Sequence, residues 1–451
     1  MMNQKAAHSI ATAALERVDP VRMITDCVTL QEDTLQIDTA NQHLAFDLSR
    51  FTRIMVFGAG KATASMALGV EKVLGGRISG GLIVVKYDHV RELQHIELQQ
   101  AGHPVPDENG VAAAQRMVDL AEQADERTLC LVLISGGGSA LLTLPATVDE
   151  HRITLQDTQQ TTALLLEAGT PIQEINCIRK HISAVSGGRF CRSLHPATSV
   201  SLILSDVVGD ELESIASGLT SPDPTTFEDA WRIAEKYRIA DRLPDRVRRA
   251  LQAGRSGELA ETPKPGDAAF KRVHNVLIGT NALALEAARR KAEQLGYNTL
   301  VLTSQLTGEA REIAKLFSGI ARDVVRFDAP LRKPACILAG GETTVTLHGS
   351  GKGGRNQEMA LAFLAEVSAR RNAFAGVTFL STATDGNDGP TDAAGAFASV
   401  ALATKAETAE LSISRYLAQN DSYHFFEKLE ALYKTGPTNT NVCDLQILLV
   451  E

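Results

Sequence analysis

The stretch that most constrains this chain is LVLISGGGSALL, residues 131–142. Leu131, Val132, Leu133 and Ile134 read as a buried strand. Ser135, Gly136, Gly137, Gly138 and Ser139 interrupt it, and helix formers follow. A strand that breaks into glycines and restarts as a helix leaves backbone N–H groups pointing outward at a helix N-terminus. Without Cβ atoms in the way, an anion can approach those donors closely. An ordinary strand-to-helix turn needs one or two glycines for its dihedrals; three in a row with flanking hydroxyls predict an anion loop. The spacing G-x-x-x-x-G-K-[ST] is absent, so any lysine serving phosphates must come from elsewhere in the chain.

A second turn of the same kind lies upstream. RIMVFGAGKATASMALG (53–69) reads as strand, glycine turn and helix, with Lys61 after Gly58-Ala59-Gly60. Strand and helix patterns then alternate: GGLIVVK at 80–86, a Pro-punctuated loop and helix over 101–124, helical segments over 151–195, and TSVSLILS at 198–205. This alternation predicts an α/β fold of Rossmann-like, three-layer form, in which ligands sit beyond the carboxyl ends of parallel strands. A hairpin is expected within residues 35–46. The polar segment 255–267, with two prolines and two glycines, is the best linker candidate. Past it the strand–helix pattern restarts. At 451 residues the chain exceeds one ordinary core. It divides on this reading into residues 1–265 and a smaller α/β domain, 266–451.

Net charge is −9, which argues against nucleic acid as a partner and requires cations for an anionic substrate to be gathered locally. Small-molecule substrates are the expected partners, with neither nucleic acid nor membrane, and the chain as monomer or homodimer. No apolar run is long enough to span a bilayer. Six scattered cysteines without a C-x-x-C pair fit a reducing cytoplasm.

Three further segments carry candidate chemistry. In ILAGGETTVTLHGSGKGGRNQEMALAF (337–363), Glu342, Lys352 and Arg355 stand among many glycines, and Gly351, Gly353 and Gly354 suggest a mobile loop. Arg355 opens a helix where the dipole prefers an anion, so a bound anion is expected to compensate it. DGNDGPTD (385–392) places Asp385 and Asp388 just after a strand, suiting Mg²⁺ beside phosphates or a base for a hydroxyl proton. An EF-hand is excluded because Gly389 and Ala396 occupy its fifth and twelfth positions. SDVVGDE (205–211) is a second acidic strand end, with Asp206. Arg179, Lys180 and His181 could anchor a small carboxylate, or form a solvated helix face. His103 stands alone before Pro104.

Taken together, VFGAGKA, GHPVPDENG, LISGGGSALL, IRKHISAVSGGR, LSDVVGD, SGLTSPDPTT, GTN, GGETTVT, GKGGRNQEMALA and DGNDGPTDAAGA resemble the glycerate 2-kinase family with a C-terminal MOFRL domain. The similarity runs in order from about residue 51 to 447. It implies a Rossmann-like N-terminal domain, a smaller C-terminal α/β domain and an active site in the cleft between them. The implied activity is Mg²⁺-dependent transfer of the ATP γ-phosphoryl group to D-glycerate, giving 2-phospho-D-glycerate. By motif position Lys61 and Arg355 are the catalytic cations and the Ser135–Ser139 loop serves ATP. On this reading Asn281 and Glu342 also bind the nucleotide, while Gly58, Gly60, His103, Arg179 and Lys180 bind the acceptor. Asp385 acts as base or metal ligand, and Asp206 and Asp388 as metal ligands. Ser186 stands where the family often has lysine, and Asn439 and Cys443 replace a usual glycine and asparagine.

The rival reading is an NAD(P)H-dependent hydroxypyruvate reductase, a name the family has also carried. Its support is the GAGKAT turn, in which Thr63 takes the place of the third fingerprint glycine and no acidic residue ends the next strand. A non-catalytic sugar-phosphate sensor would use the same anion loops without turnover.

Overall fold

A computed structural model describes residues 2–148 and 151–451. After helices at Met2–Arg17 and Pro20–Cys27, three short strands pair antiparallel: β1 (Val28–Gln31), β2 (Thr34–Asp38) and β3 (His43–Asp47). The expected hairpin is thus two of three strands, its third supplied by the residues directly after the second helix.

The principal sheet contains β4 (Arg53–Ala59), β5 (Gly80–Lys86), β6 (Glu97–Ala101) and β7 (Thr128–Ile134). A two-residue pair, β8 (Thr147–Val148) with β9 (His151–Arg152), stands apart from it. The sheet is completed by β10 (Thr198–Leu204) and β11 (Val273–Gly279), in the order β11-β10-β7-β4-β5-β6. β10, β7, β4, β5 and β6 pair in parallel. Every residue of β7 is buried, as a strand with neighbours on both edges and apolar cover on both faces requires. Between β7 and β10 the 151–195 region supplies helices. Leu155–Glu167 starts at a capping box in which Thr154 and Asp157 satisfy each other's backbone N–H groups.

The second sheet is mixed: β12 (Asn298–Leu306), β13 (Ala335–Gly341), β14 (Val377–Ala383), β15 (Gly395–Ser399), β16 (Leu432–Tyr433) and β17 (Asp444–Val450), ordered β12-β13-β17-β14-β15-β16. Only β12 and β13 pair in parallel; the remaining pairs are antiparallel. The helix Arg355–Ala369 lies in the core, with Met359 through Leu364 all buried and Phe363 stacked on Phe379 at 4.6 Å. β13 ends at Gly341.

By its contacts the chain forms two compact units that do not follow a single cut after residue 265. One comprises Pro20–Ser205 and Asp210–Ile278; the other Met1–Asp19, Asp206–Gly209 and Gly279–Glu451. The polar segment 255–267 precedes β11, so the first sheet takes its last strand from beyond it. The first helix packs on the helix Asn281–Gln294, and Thr440 Oγ1 donates to the Val18 carbonyl at 2.7 Å. Among the described residues no helix is long and apolar enough to cross a membrane. All six cysteines are buried, and none forms a disulfide among the described residues.

Candidate active site

In the first sheet the chain runs from β4 outward through β5 to β6, then returns to β7 and runs the other way through β10 to β11. Strand order therefore reverses between β4 and β7, and a crevice for ligands opens beyond the carboxyl ends at such a reversal. Both glycine turns lie there. They are knitted together: the Lys61 N–H donates to the Gly136 carbonyl at 2.9 Å. Buried Ser135 accepts from the Ala62 N–H and shares a hydrogen bond with Thr63 Oγ1, both at 3.1 Å.

The glycines divide by task. A Cβ on Gly58 would sit 2.3 Å from the Leu133 carbonyl oxygen, and one on Gly60 would sit 2.1 Å from Ser135 Oγ. Gly58, Gly60 and Ser135 thus build the turns. Gly137, at φ +88°, lies against His103 and Lys61: a Cβ there would lie 2.9 Å from His103 Cδ2 and 3.4 Å from Lys61 Cγ. The helix after the loop spans only Gly138–Leu141. One turn carries little macrodipole, so the expected helix N-terminus gives way to side-chain cations.

Those cations are Lys61 and Lys86, with His89 and His103 beside them. His89 Nδ1 lies 3.2 Å from the Lys61 carbonyl oxygen. Burial, then Lys61, Lys86 and His89, pushes the His103 imidazole down to about 4, so it is neutral near pH 7. Burial also lowers His89. Neither Lys61 nor Lys86 joins an ion pair among the described residues. Lys86 and His89 were missed in the sequence; a lysine closing the strand next to the glycine turn was the available signal.

On the far side of the loop, the Ser139 carbonyl accepts from Arg179 at 3.0 Å, and Ser139 Oγ meets Ser217 Oγ at 2.8 Å. Ala216, Ser217 and Gly218 all have positive φ, at 48°, 55° and 66°. Two non-glycine residues in that region cost about 1–2 kcal/mol each, and such strain collects at working parts of proteins. No local pattern in the sequence marks it. Lys180, expected at the acceptor, is buried and paired to Asp223 at 2.7 Å. Burial alone would raise the Asp223 carboxyl, but Lys180 and Thr225 outweigh it and hold it below the usual range. Lys180 therefore stabilises the interior, which corrects its assignment to substrate.

The second unit assembles another cluster where the ends of β13 and β14 flank the start of β17. Asp444 opposes Gly341 on one side and Ala383 on the other. Arg355 donates Nε to Asp444 Oδ2 at 2.6 Å and Nη2 to Oδ1 at 2.9 Å, and Nη1 to Glu342 at 2.7 Å. Burial works against its charge, yet Asp444 and Glu342 raise its pKa. Carboxylates of the protein thus compensate Arg355 here, where an external anion was expected, and Glu342 is turned to Arg355. Asp388 is buried, and its carboxylate accepts from the Asn356 and Gln357 backbone N–H groups at 3.1 and 2.8 Å and from both side chains. It caps the helix Arg355–Ala369 with its oxygens saturated, so it is not an open metal ligand. Asn281 is buried too; its Nδ2 clips the Val442 and Asp444 carbonyls at 2.8 and 2.9 Å. It holds β17 in place.

Asp385 is partly buried and accepts from the Asn387 N–H at 3.0 Å. The Asp206 carbonyl receives Cys443 Sγ at 3.3 Å. The glycine loop before Arg355 is pinned: Asn420 Oδ1 accepts from His348 and Gly349, Asp421 from Lys352, and Lys352 Nζ lies 4.3 Å from the Tyr423 ring centroid. Its glycines allow close packing, since a Cβ on Gly354 would sit 2.3 Å from the Asp388 carboxyl carbon. Mobility was the wrong reading of them.

Two family models match the chain: a domain of unknown function, DUF4147, over residues 6–252, and the MOFRL family over residues 335–444. Glycerate 2-kinase of Pyrococcus horikoshii is 38% identical over 438 residues, covering 97% of this chain and 95% of that protein. D-glycerate 2-kinase of Thermotoga maritima is 41% identical over 399 residues, covering 88% and 91% respectively. The crystal structure of glycerate kinase from Thermotoga maritima matches with a TM-score of 0.87 at 38% identity, over 100% of both chains.

Proposed function

The chain belongs to the glycerate 2-kinase family, and from that premise we propose that it transfers the γ-phosphoryl group of ATP to the 2-hydroxyl of D-glycerate, yielding 2-phospho-D-glycerate and ADP. The observation that carries this reading is the glycine turn at the strand-order reversal, with Gly137 against Lys61 and His103 and, among the described residues, no carboxylate in an ion pair with Lys61. A cation left without a partner beside bare backbone is suited to a polyanion.

Phosphoryl transfer needs little covalent help from a protein; it needs in-line placement and neutralised charge. Lys61 is proposed to neutralise phosphate oxygens as a point charge, with Gly137 and Gly138 letting those oxygens approach the loop. Arg355 is proposed as the second catalytic cation. An arginine in that role is worth on the order of 10³–10⁵ in rate. Asp385 takes the 2-hydroxyl proton or holds Mg²⁺.

Mg²⁺ is usually held by one or two carboxylates together with substrate phosphates. Among the described residues no group of three or more His, Cys, Asp or Glu side chains gathers to hold a metal. Asp385 fits the part, with Asp206 the second candidate. Bound there, the ion would neutralise nucleotide charge. A cytoplasmic setting is part of the same proposal.

The test is to incubate the protein with D-glycerate, ATP and Mg²⁺ and identify the product by ³¹P NMR. Phosphorylation at the 2-position is the expected result. Product at the 3-position, or NADH oxidation with hydroxypyruvate and no ATP turnover, would overturn it.

A further inference from the structure

The glycine loop is braced, within the unit that carries the first sheet, by the turn Ala216-Ser217-Gly218. All three of its residues have positive φ. Glycine adopts that region freely, whereas alanine and serine are strained there. A turn that needed only its backbone shape would be better served by glycine at all three positions. Two side chains are kept instead, and they meet consecutive residues of the loop. The Ala216 methyl bars any side chain from Gly138, where a Cβ would lie 2.8 Å from Ala216 Cβ. Ser217 Oγ meets Ser139 Oγ at 2.8 Å.

The surroundings enforce this conformation. The Gly187 N–H donates to the Ser217 carbonyl at 2.9 Å, and the Gly188 N–H to the Gly218 carbonyl at 2.7 Å. Ala216 and Ser217 are buried, as is Asn176, whose Oδ1 lies 3.4 Å from Ser217 Oγ. Ser139 is fastened a second time at its carbonyl, by Arg179. The last residue of the loop is thus held through both its side chain and its backbone. Strain kept in place by its neighbours is a mark of a working element.

We propose that Ser217 is a positioning residue for the nucleotide triphosphate: held in a strained turn, it fixes Ser139 and with it the end of the glycine loop. Ser217 itself touches no phosphate. It acts by ordering the loop beforehand, so that less freedom is lost when the polyanion binds. The inference rests on the kinase reading for the identity of that polyanion.

Ser217→Ala and Ser217→Gly remove the same hydroxyl but differ in strain, so together they separate positioning from stability. Glycine suits this φ, and Ser217→Gly should melt at a higher temperature than Ser217→Ala. Both should weaken binding of ATP, and of inorganic triphosphate, to the same extent in calorimetry, by about fivefold, the worth of one neutral hydrogen bond. KM for D-glycerate should move less than about twofold, as expected of a change confined to nucleotide binding. Hydrogen exchange in the peptide covering residues 131–142 should quicken in both variants. Ser139→Ala should lose at least as much affinity, and adding Ser217→Ala to it should lose nothing more. If ATP affinity follows melting temperature across the two Ser217 variants, Ser217 serves the fold alone and the proposal falls. Additive losses at Ser139 and Ser217, or unchanged exchange in the loop, would equally overturn it. If the unmodified protein binds ATP but phosphorylates nothing, the kinase reading fails while the positioning role stands.

Discussion

Arg355 and Asp444 are joined by two parallel hydrogen bonds, at 2.6 and 2.9 Å, between a helix N-terminus and the first residue of a central strand. Asp444 is wholly buried, and burial raises its carboxyl pKa despite Arg355. The fork geometry fixes the plane of the guanidinium. Asp444→Asn should therefore loosen Arg355 and leave it to Glu342 alone. Breaking one side of a buried pair costs about 3–5 kcal/mol, to be read from urea unfolding. Turnover should drop tenfold or more with KM for ATP little changed. Glu342→Gln, at an exposed carboxylate, should cost under about 1 kcal/mol. Equal costs for the two variants would contradict this hierarchy.

Arg355→Ala carries the larger kinetic prediction. If the side chain neutralises the transferring group, turnover falls by about 10³ or more, with the far-ultraviolet dichroism spectrum preserved. A loss under tenfold would remove Arg355 from the reaction.

Lys180 and Asp223 give a stability counterpart without a kinetic one. Asp223→Asn leaves a buried ammonium facing a neutral amide and should cost about 3–5 kcal/mol. Replacing both together, as Lys180→Met with Asp223→Leu, should cost less than the single change. The check is a double-mutant cycle in urea; strict additivity would show that the two side chains do not act as a pair.

The turns after β4 and β7 were readable in advance because glycines and a strand-to-helix switch leave a local pattern. The same holds for Thr154 and Thr226 as helix caps, since their partners lie three residues on. What escaped the sequence depends on distant partners. Lys180 looked like a substrate cation until Asp223, 43 positions away, was found beside it. Asp388 looked like a metal ligand until the helix N-terminus it caps came into view. Asp444 is a lone acid before an apolar strand, with nothing local to mark it. Arg355 was expected to be compensated by a bound anion; that the protein supplies carboxylates of its own could not be read from its neighbours in sequence.

The two departures near the C-terminus have a backbone account. Asn439 and Cys443 both sit at positive φ, 59° and 67°. Asparagine tolerates that region and cysteine does so poorly. Asn439→Gly should change stability by less than about 0.5 kcal/mol, because relief in the fold is offset by a freer unfolded chain. Cys443→Asn should stabilise by about 0.5–1 kcal/mol, since an amide can still donate to the Asp206 carbonyl. Thermal unfolding of both variants decides it; a destabilised Cys443→Asn would mean that packing around the sulfur outweighs the dihedral.

His103 makes the protein's acid sensitivity predictable in sign. Unfolded, its imidazole titrates near 6.5; folded, burial and the neighbouring cations bring it down to about 4. Between those values the unfolded chain binds the extra proton. The contribution of His103 to stability is therefore complete above pH 6.5 and is lost as pH falls toward 4. Allowing for partial exposure, the amount is about 1–2 kcal/mol. His103→Asn should flatten the stability profile in that window by about this amount and leave the neutral plateau nearly unchanged. Lys61→Met removes one repelling cation, so the His103 resonance in NMR should titrate at higher pH. Parallel profiles for His103→Asn and the unmodified protein would mean that the ring is solvated, and that Lys61 and Gly137 do not enclose it.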